Sequence, residues 1–200
     1  GKLSHSPAKL EYYRLYGQDD TNALLFGRAF HMNVLEREKF KEDVIAYEGA
    51  TRRGKAWEEF KQENEGKTII TKGEMRNVTI MRNKLRSIPR VAELLTGGEA
   101  EVVNCWQDSD TDHKEYPFRG SCNKYGYDRQ SAFYLDGFEA DEFWFIVIEK
   151  TEPFDIGVYM CSDEFLNSGR DKYKGLLNVY NDYFIKQDKE ITDYYIETIL

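Results

Sequence analysis

In the segment Tyr127-Asp-Arg-Gln-Ser-Ala-Phe-Tyr134, an amide, Gln130, and a phenol, Tyr134, stand four residues apart. On a helix that spacing places both on one face, just ahead of the very apolar run FWFIVI at 143–148. The pair alone defines no reaction. A second chemistry is suggested by the cations. Arg76, Arg82, Lys84, Arg86 and Arg90 occur with no Asp or Glu from Arg76 to Arg90, and Arg52, Arg53 and Lys55 make another cluster. Such groups neutralise phosphates, and a groove focuses their field on a passing duplex. The alternative is a solvated helix face paired with acidic neighbours. The aspartates of DSDTDHK at 108–114 superficially suggest a calcium loop, but His113 takes the glycine position and Arg119 the final glutamate position. The calcium reading fails.

These residues need elements to hold them. Ser6-Pro7 offers an N-cap followed by proline at the first helical position, and Leu10, Tyr13, Leu15 and Tyr16 supply an apolar face. A second helix begins near Asp20, Thr21 or Asn22 and carries His31; taken by itself, a histidine on such a helix is more often a packing or surface residue than a ligand. A third helix sets Trp57 and Phe60 on one side and ends at Gly66, and TIIT at 68–71 reads as a brief extended piece. From Lys72 to Arg86, Met75, Val78, Met81 and Leu85 recur at helical spacing until Pro89, after which RVAELLTGG makes a further turn or two. The second half turns to strands at 99–107, 142–150 and 156–162, and the FWFIVI run is apolar on both faces, as a covered central strand is. A long last helix starts at Ser162 or Asp163, with Leu166, Tyr173, Leu176, Leu177, Tyr180 and Phe184 inward. The expectation is one domain over residues 1–200, α/β or α+β, with a central mixed sheet flanked by helices.

Composition removes several classes. A net charge of −8 argues against a protein that coats nucleic acid over its whole surface, but leaves room for a local basic groove. Cys105, Cys122 and Cys161 are odd in number and widely spaced, which indicates neither a disulfide framework nor a zinc knuckle, and suggests a reducing, cytoplasmic setting. No leader-like or membrane-spanning apolar run is seen, so a soluble protein is expected.

Several blocks then line up: GRAFH at 27–31, RRGKAWEEF at 52–60, EAEVVNCW at 99–106 and YGYDRQSAFYLDG at 125–137, preceded by HSPAKLEYYR at 5–14. In this order they resemble the exonuclease domain of the RecE type (exonuclease VIII), a branch of the PD-(D/E)xK nuclease superfamily common in bacteriophages and prophages. The resemblance covers nearly the whole chain. It implies a restriction-endonuclease-like fold and a Mg²⁺-dependent exodeoxyribonuclease, with Mn²⁺ as a substitute, that degrades one strand of double-stranded DNA from its 5′ end. The 3′ single strand left behind would serve a recombination annealing protein. It further implies a homo-oligomeric ring, in the cytoplasm of a bacterial or phage-infected cell and without a membrane role. By the same resemblance His31 and Glu101 map to the metal shell, Gln130 lies near the attacking water or scissile phosphate, and Tyr134 supports it. The DNA-facing cations would be Arg52, Arg53, Lys55, Arg76, Arg82 and Arg86.

The chain departs from the family in one place. Between EVVNCWQDSD and YGYDRQSAFY the family has a hairpin bearing an aspartate and a D-L-K ending; here the connection SDTDHKEYPFRGSCNK has no apolar alternation and is too short for two strands. Three readings stay open. The hairpin is left out of the written sequence between Ser109 and His113, or the chain lacks it and is an inactive relative that binds DNA or a partner. In the third, Asp108, Asp110, Asp112 and Lys114 form a compressed D…DxK on their own.

Overall fold

The computed structural model describes residues 2–17, 20–97, 103–106 and 117–195. Contacts divide the chain into two compact units. One comprises Gly1–Asp19, His113–Phe143 and Cys161–Leu200, the other Asp20–Asp112 and Trp144–Met160. Among the described residues no helix is long and apolar enough to cross a membrane.

The second unit holds the sheets. Helix α2 (Asn22–Leu35) starts where the Thr21 hydroxyl accepts from the Leu24 N–H, and α5 (Lys72–Ser87) starts in a capping box between Thr71 and Glu74. Their apolar faces, with Phe30, Ala29, Val78, Met81 and Leu85 fully enclosed, form the main core together with Ile146 and Ile148. Each such large side chain contributes about 1.5–3 kcal/mol by leaving water. Strand β1 (Val44–Tyr47) pairs in parallel with β2 (Thr68–Thr71), Val44 opposite Thr68. Helix α4 (Lys55–Glu63) connects them, and its Trp57 and Phe60 rings lie 5.0 Å from that of Tyr47. A separate mixed sheet runs in the order β3 (Val103–Trp106), β4 (Trp144–Glu149), β5 (Ile156–Met160). Strand β4 is its centre, parallel to β3 and antiparallel to β5, and its Phe145–Ile148 stretch is buried throughout. The doubly apolar run in the sequence has that placement as its cause.

The first unit is helical. Ser6 is extended at φ −173° and its Oγ accepts from the Lys9 N–H at 3.0 Å, opening α1 (Pro7–Tyr16) with Pro7 buried at the first position. Helix α7 (Pro117–Tyr125) leads through Gly126, left-handed at φ 66°, into α8 (Tyr127–Gly137). Ser162 caps α9 (Asp163–Tyr180), which continues as a π-helical turn over Asn181–Ile185. Helices α8 and α9 pack through Ala132, Leu135 and Leu166.

The mixed sheet with flanking helices is as the sequence suggests, but four features differ. Helix α3 (Arg37–Asp43) and β1 were not expected, because REKFKED offers Phe40 as its lone large apolar residue and VIAY is too short to show a period. Helix α7 occupies part of the stretch read as connection; Pro117 at its start is a helix-opening signal. The third helix stops at Glu63 and Asn64, ahead of Gly66. Leu177, expected inward, is 48% exposed. Helix α6 (Pro89–Gly97) follows α5 at the proline and glycine signals as read.

Candidate functional site

Gln130 and Tyr134 do share one face, and that face opens on a cavity of about 430 Å³ within the helical unit. Helix α8 contributes Arg129, Gln130, Phe133 and Tyr134 to its wall; α9 contributes Tyr173 and Tyr180 with two leucines, and Leu3 completes it. The two helices are joined by charge as well as by apolar packing. Asp128, 1% exposed, accepts from the Lys172 ammonium, from the Arg129 N–H at 2.8 Å and from the Ser168 hydroxyl at 3.2 Å. Burial pushes its carboxyl up, but Lys172, the Arg129 N–H and Ser168 outweigh burial and hold it below the ordinary range. About two turns further along α8, Asp136 takes Arg170 Nε at 3.0 Å on both oxygens and the Tyr173 hydroxyl at 2.6 Å. Arg170 and then Tyr173 hold the Asp136 carboxyl low, and in return that bond raises the Tyr173 phenol.

Sequence reading found two of the wall residues and missed the rest. A signal is present: Tyr173, Leu176, Leu177 and Tyr180 recur at three and four, a period that reads equally as a packing face. Burial pushes both Cys122 and Cys161 up to about 11, leaving almost no thiolate at neutral pH.

His31 lies on α2 in the other unit, its imidazole Nδ1 3.8 Å from Glu36 Oε1. Glu36 also accepts from Lys39 at 3.2 Å. Glu101 lies outside the described residues, as do Asp108, Asp110, Asp112, Lys114 and the Ser109–His113 junction. PD-(D/E)xK nucleases generally use divalent metals. An imidazole and a carboxylate are suitable donors, but Mg²⁺ takes octahedral oxygen-rich coordination. Among the described residues no three His, Cys, Asp or Glu side chains converge, so the described set does not by itself form a metal site.

The basic residues divide by what they touch. Arg82 Nε donates to the Asn33 carbonyl at 3.0 Å and Arg86 Nη2 to the Val34 carbonyl at 3.1 Å, so both satisfy carbonyls in the last turn of α2. Asn33, wholly buried, donates in turn to the Val78 carbonyl at 3.1 Å and accepts from Arg37. Burial, then the Arg37 and Arg86 cations, make the Arg82 guanidinium less basic than usual. Arg52, only 13% exposed, is paired with Glu74 and reaches the Ile69 carbonyl. Lys55 is 3.4 Å from Glu59. Among the described residues Arg53 and Arg76 are exposed and have no hydrogen-bond or ion-pair partner.

Residues 106–194 match the model of a family described as a PDDEXK-like domain of unknown function. The fold is similar to that of a solved Eubacterium rectale protein named "Putative exonuclease", with a TM-score of 0.54, 13% identity, and 94% of this chain and 81% of that one covered. Among curated proteins nothing matches the chain. The chain therefore has a PD-(D/E)xK-like α/β fold, and α7, α8, β4, β5 and α9 all lie inside the matched segment. The family model supports the PD-(D/E)xK nuclease superfamily over its matched segment, and the solved neighbour supports the fold alone; neither reaches the RecE type.

Proposed function

We propose that the chain is a metal-dependent exodeoxyribonuclease of the RecE type, acting on double-stranded DNA from the 5′ end and leaving 3′ single strands for recombination. The observation that carries this reading is the shared face of Gln130 and Tyr134, which opens on a cavity lined, apart from Leu3, by the segment that matches a PDDEXK-like domain. The order of the sequence blocks and the printed name of the E. rectale neighbour agree with it. When bound, Mg²⁺ or Mn²⁺ would supply an acidified water and charge neutralisation at the phosphoryl oxygens. His31 and Glu101 would offer donors to it. The Gln130 amide would orient the attacking water or the phosphate, with the Tyr134 hydroxyl fixing that amide. Of the cations, Arg53 and Arg76 are the most available for backbone phosphates, whereas Arg52, Lys55, Arg82 and Arg86 would have to serve DNA alongside their present partners. A homo-oligomeric ring, a single-strand annealing partner and a cytoplasmic place in a bacterial or phage-infected cell belong to the same proposal.

Linear duplex labelled at its 5′ ends and incubated with Mg²⁺ should release labelled nucleotides, chelation should stop the release, and closed circular DNA should stay intact. His31→Ala should reduce the rate at least tenfold, on the order of what loss of a metal-shell partner costs. Cutting of the circle would reassign the chain to endonuclease chemistry. A second reading, an inactive relative that binds DNA or a partner, is favoured by the short connection at 109–124. Binding of duplex with no hydrolysis in either metal would establish it.

A further inference from the structure

We infer that strand β5 pairs with β5 of a second copy of the chain, antiparallel and about a two-fold axis at Val158, so that two sheets join edge to edge. The contact stands apart from the nuclease reading and from its ring. A ring of more than two copies needs a head-to-tail contact, whereas this one is isologous and closes on two.

The first argument is backbone left unmet. Strand β5 ends the order β3-β4-β5, and only alternate residues of it bond to β4. The Asp155 carbonyl accepts from the Glu149 N–H and the Cys161 N–H donates to the Phe143 carbonyl, both at 2.9 Å, so residues 155, 157, 159 and 161 turn their backbone groups to β4. The N–H and C=O groups of Ile156, Val158 and Met160 therefore point away from the sheet, and among the described residues nothing meets them. Such a row is a template for another strand, and sheets block it with Lys, Pro, a bulge or an inward charge. Ile-Gly-Val-Tyr-Met pairs with β4 without a bulge and has no Lys, Pro or charge.

The second argument is that this edge fits itself. An uncharged strand meets its own copy without a like-charge pair, and the nearest charge, Asp155, is 3.7 Å from Lys84. With the axis at Val158, Val158 faces its counterpart and Ile156 faces Met160, so every one of the open groups is paired. Gly157 then falls opposite Tyr159 in the narrow pairs, where Cα atoms stand about 4.5 Å apart and a glycine leaves room for a ring. The Tyr159 ring already lies over Gly157 of its own strand, where a Cβ would meet it at 2.5 Å. Ile156 and Val158 pack on the main core, but Met160 is 57% exposed. Ile156 of the second copy would cover it. Five residues a side fall short of the standard interface of about 1,200–2,000 Å², which places the pairing among weak, concentration-dependent associations.

The test is amide hydrogen exchange, read residue by residue by NMR on the full chain without DNA or metal, at about 50 μM and about 1 mM. The Gly157 and Tyr159 amides, bonded to β4, should exchange slowly at both concentrations. The Ile156, Val158 and Met160 amides should exchange fast in the dilute sample and about tenfold or more slowly in the concentrated one. Sedimentation should show a two-copy species over the same range. Met160→Lys should abolish both effects without moving the unfolding midpoint, and Met160→Leu should keep both. Alternate amides that stay open at the higher concentration overturn the inference. So does protection that ignores concentration, which would assign the edge to a segment of the same chain. The proposals fail separately: a larger assembly with these three amides open sinks the β5 pair and leaves the ring, and loss of nuclease activity in every metal leaves the β5 pair untouched.

Discussion

Arg82 and Arg76 stand six residues apart on one helix and do different things. Arg82 holds the Asn33 carbonyl at the end of α2 and is partly buried, whereas Arg76 is exposed and has no partner among the described residues. Removing Arg82 leaves a helix-terminal carbonyl unmet, so Arg82→Ala should lower unfolding free energy by about 1–2 kcal/mol. Arg76→Ala should leave stability within about 0.5 kcal/mol and weaken duplex binding, with a smaller salt slope. Urea unfolding and DNA titrations at two salt concentrations check both. The sequence presents these arginines as equals, because a stripe of cations carries no mark of which ones meet backbone carbonyls. Gln130 and Tyr134 were legible for the opposite reason: their relation is local, fixed by the helix period alone. His31 reaches Glu36 only five residues on, yet nothing in GRAFH foretells that contact.

At the scale of elements, the α8–α9 pair builds the cavity, and a glycine and a buried carboxylate hold it. A Cβ at Gly169 would collide with the backbone carbonyl of Asp128, and backbone cannot step aside as a side-chain tip can. Gly169→Ala should therefore destabilise the protein by about 1–3 kcal/mol. Gly175→Ala on the same helix meets nothing within 4 Å and should stabilise by about 0.5–1 kcal/mol. Asp128 gives the pair a pH dependence. Its carboxyl titrates below the ordinary 3.8, so its contribution is fully present above about pH 4 and fades as pH falls through the lower folded value. Asp128→Asn should cost about 1–3 kcal/mol at pH 7 and make unfolding less sensitive to acid below pH 4 than in wild type. Chemical denaturation across that pH range reads both effects. Helix caps at Ser6, Thr21 and Ser162 and the central place of β4 follow from short-range signals, whereas the Thr71 cap falls at the end of a piece expected only as extended. Helix α3 and β1 do not follow from such signals, since each is too short for a period and is held by Phe40, Val44 and Tyr47 packing against distant residues.

For the whole molecule, the candidate residues fall in separate units: Gln130 and Tyr134 in the helical one, His31 and the free arginines in the one that carries both sheets. The acidic total of −8 argues against a protein that coats nucleic acid, while Arg53 and Arg76 are exposed and without a partner among the described residues. The nuclease proposal gives His31 and Gln130 each a part in Mg²⁺-dependent hydrolysis of duplex DNA. A double-mutant cycle on Mg²⁺-dependent duplex degradation tests it directly, with wild type, His31→Ala, Gln130→Ala and the double variant side by side. Groups that serve one transition state lose their effects non-additively, so the double variant should be little slower than the worse single one. Losses that multiply, or a wild-type chain that releases no nucleotide, would contradict the account.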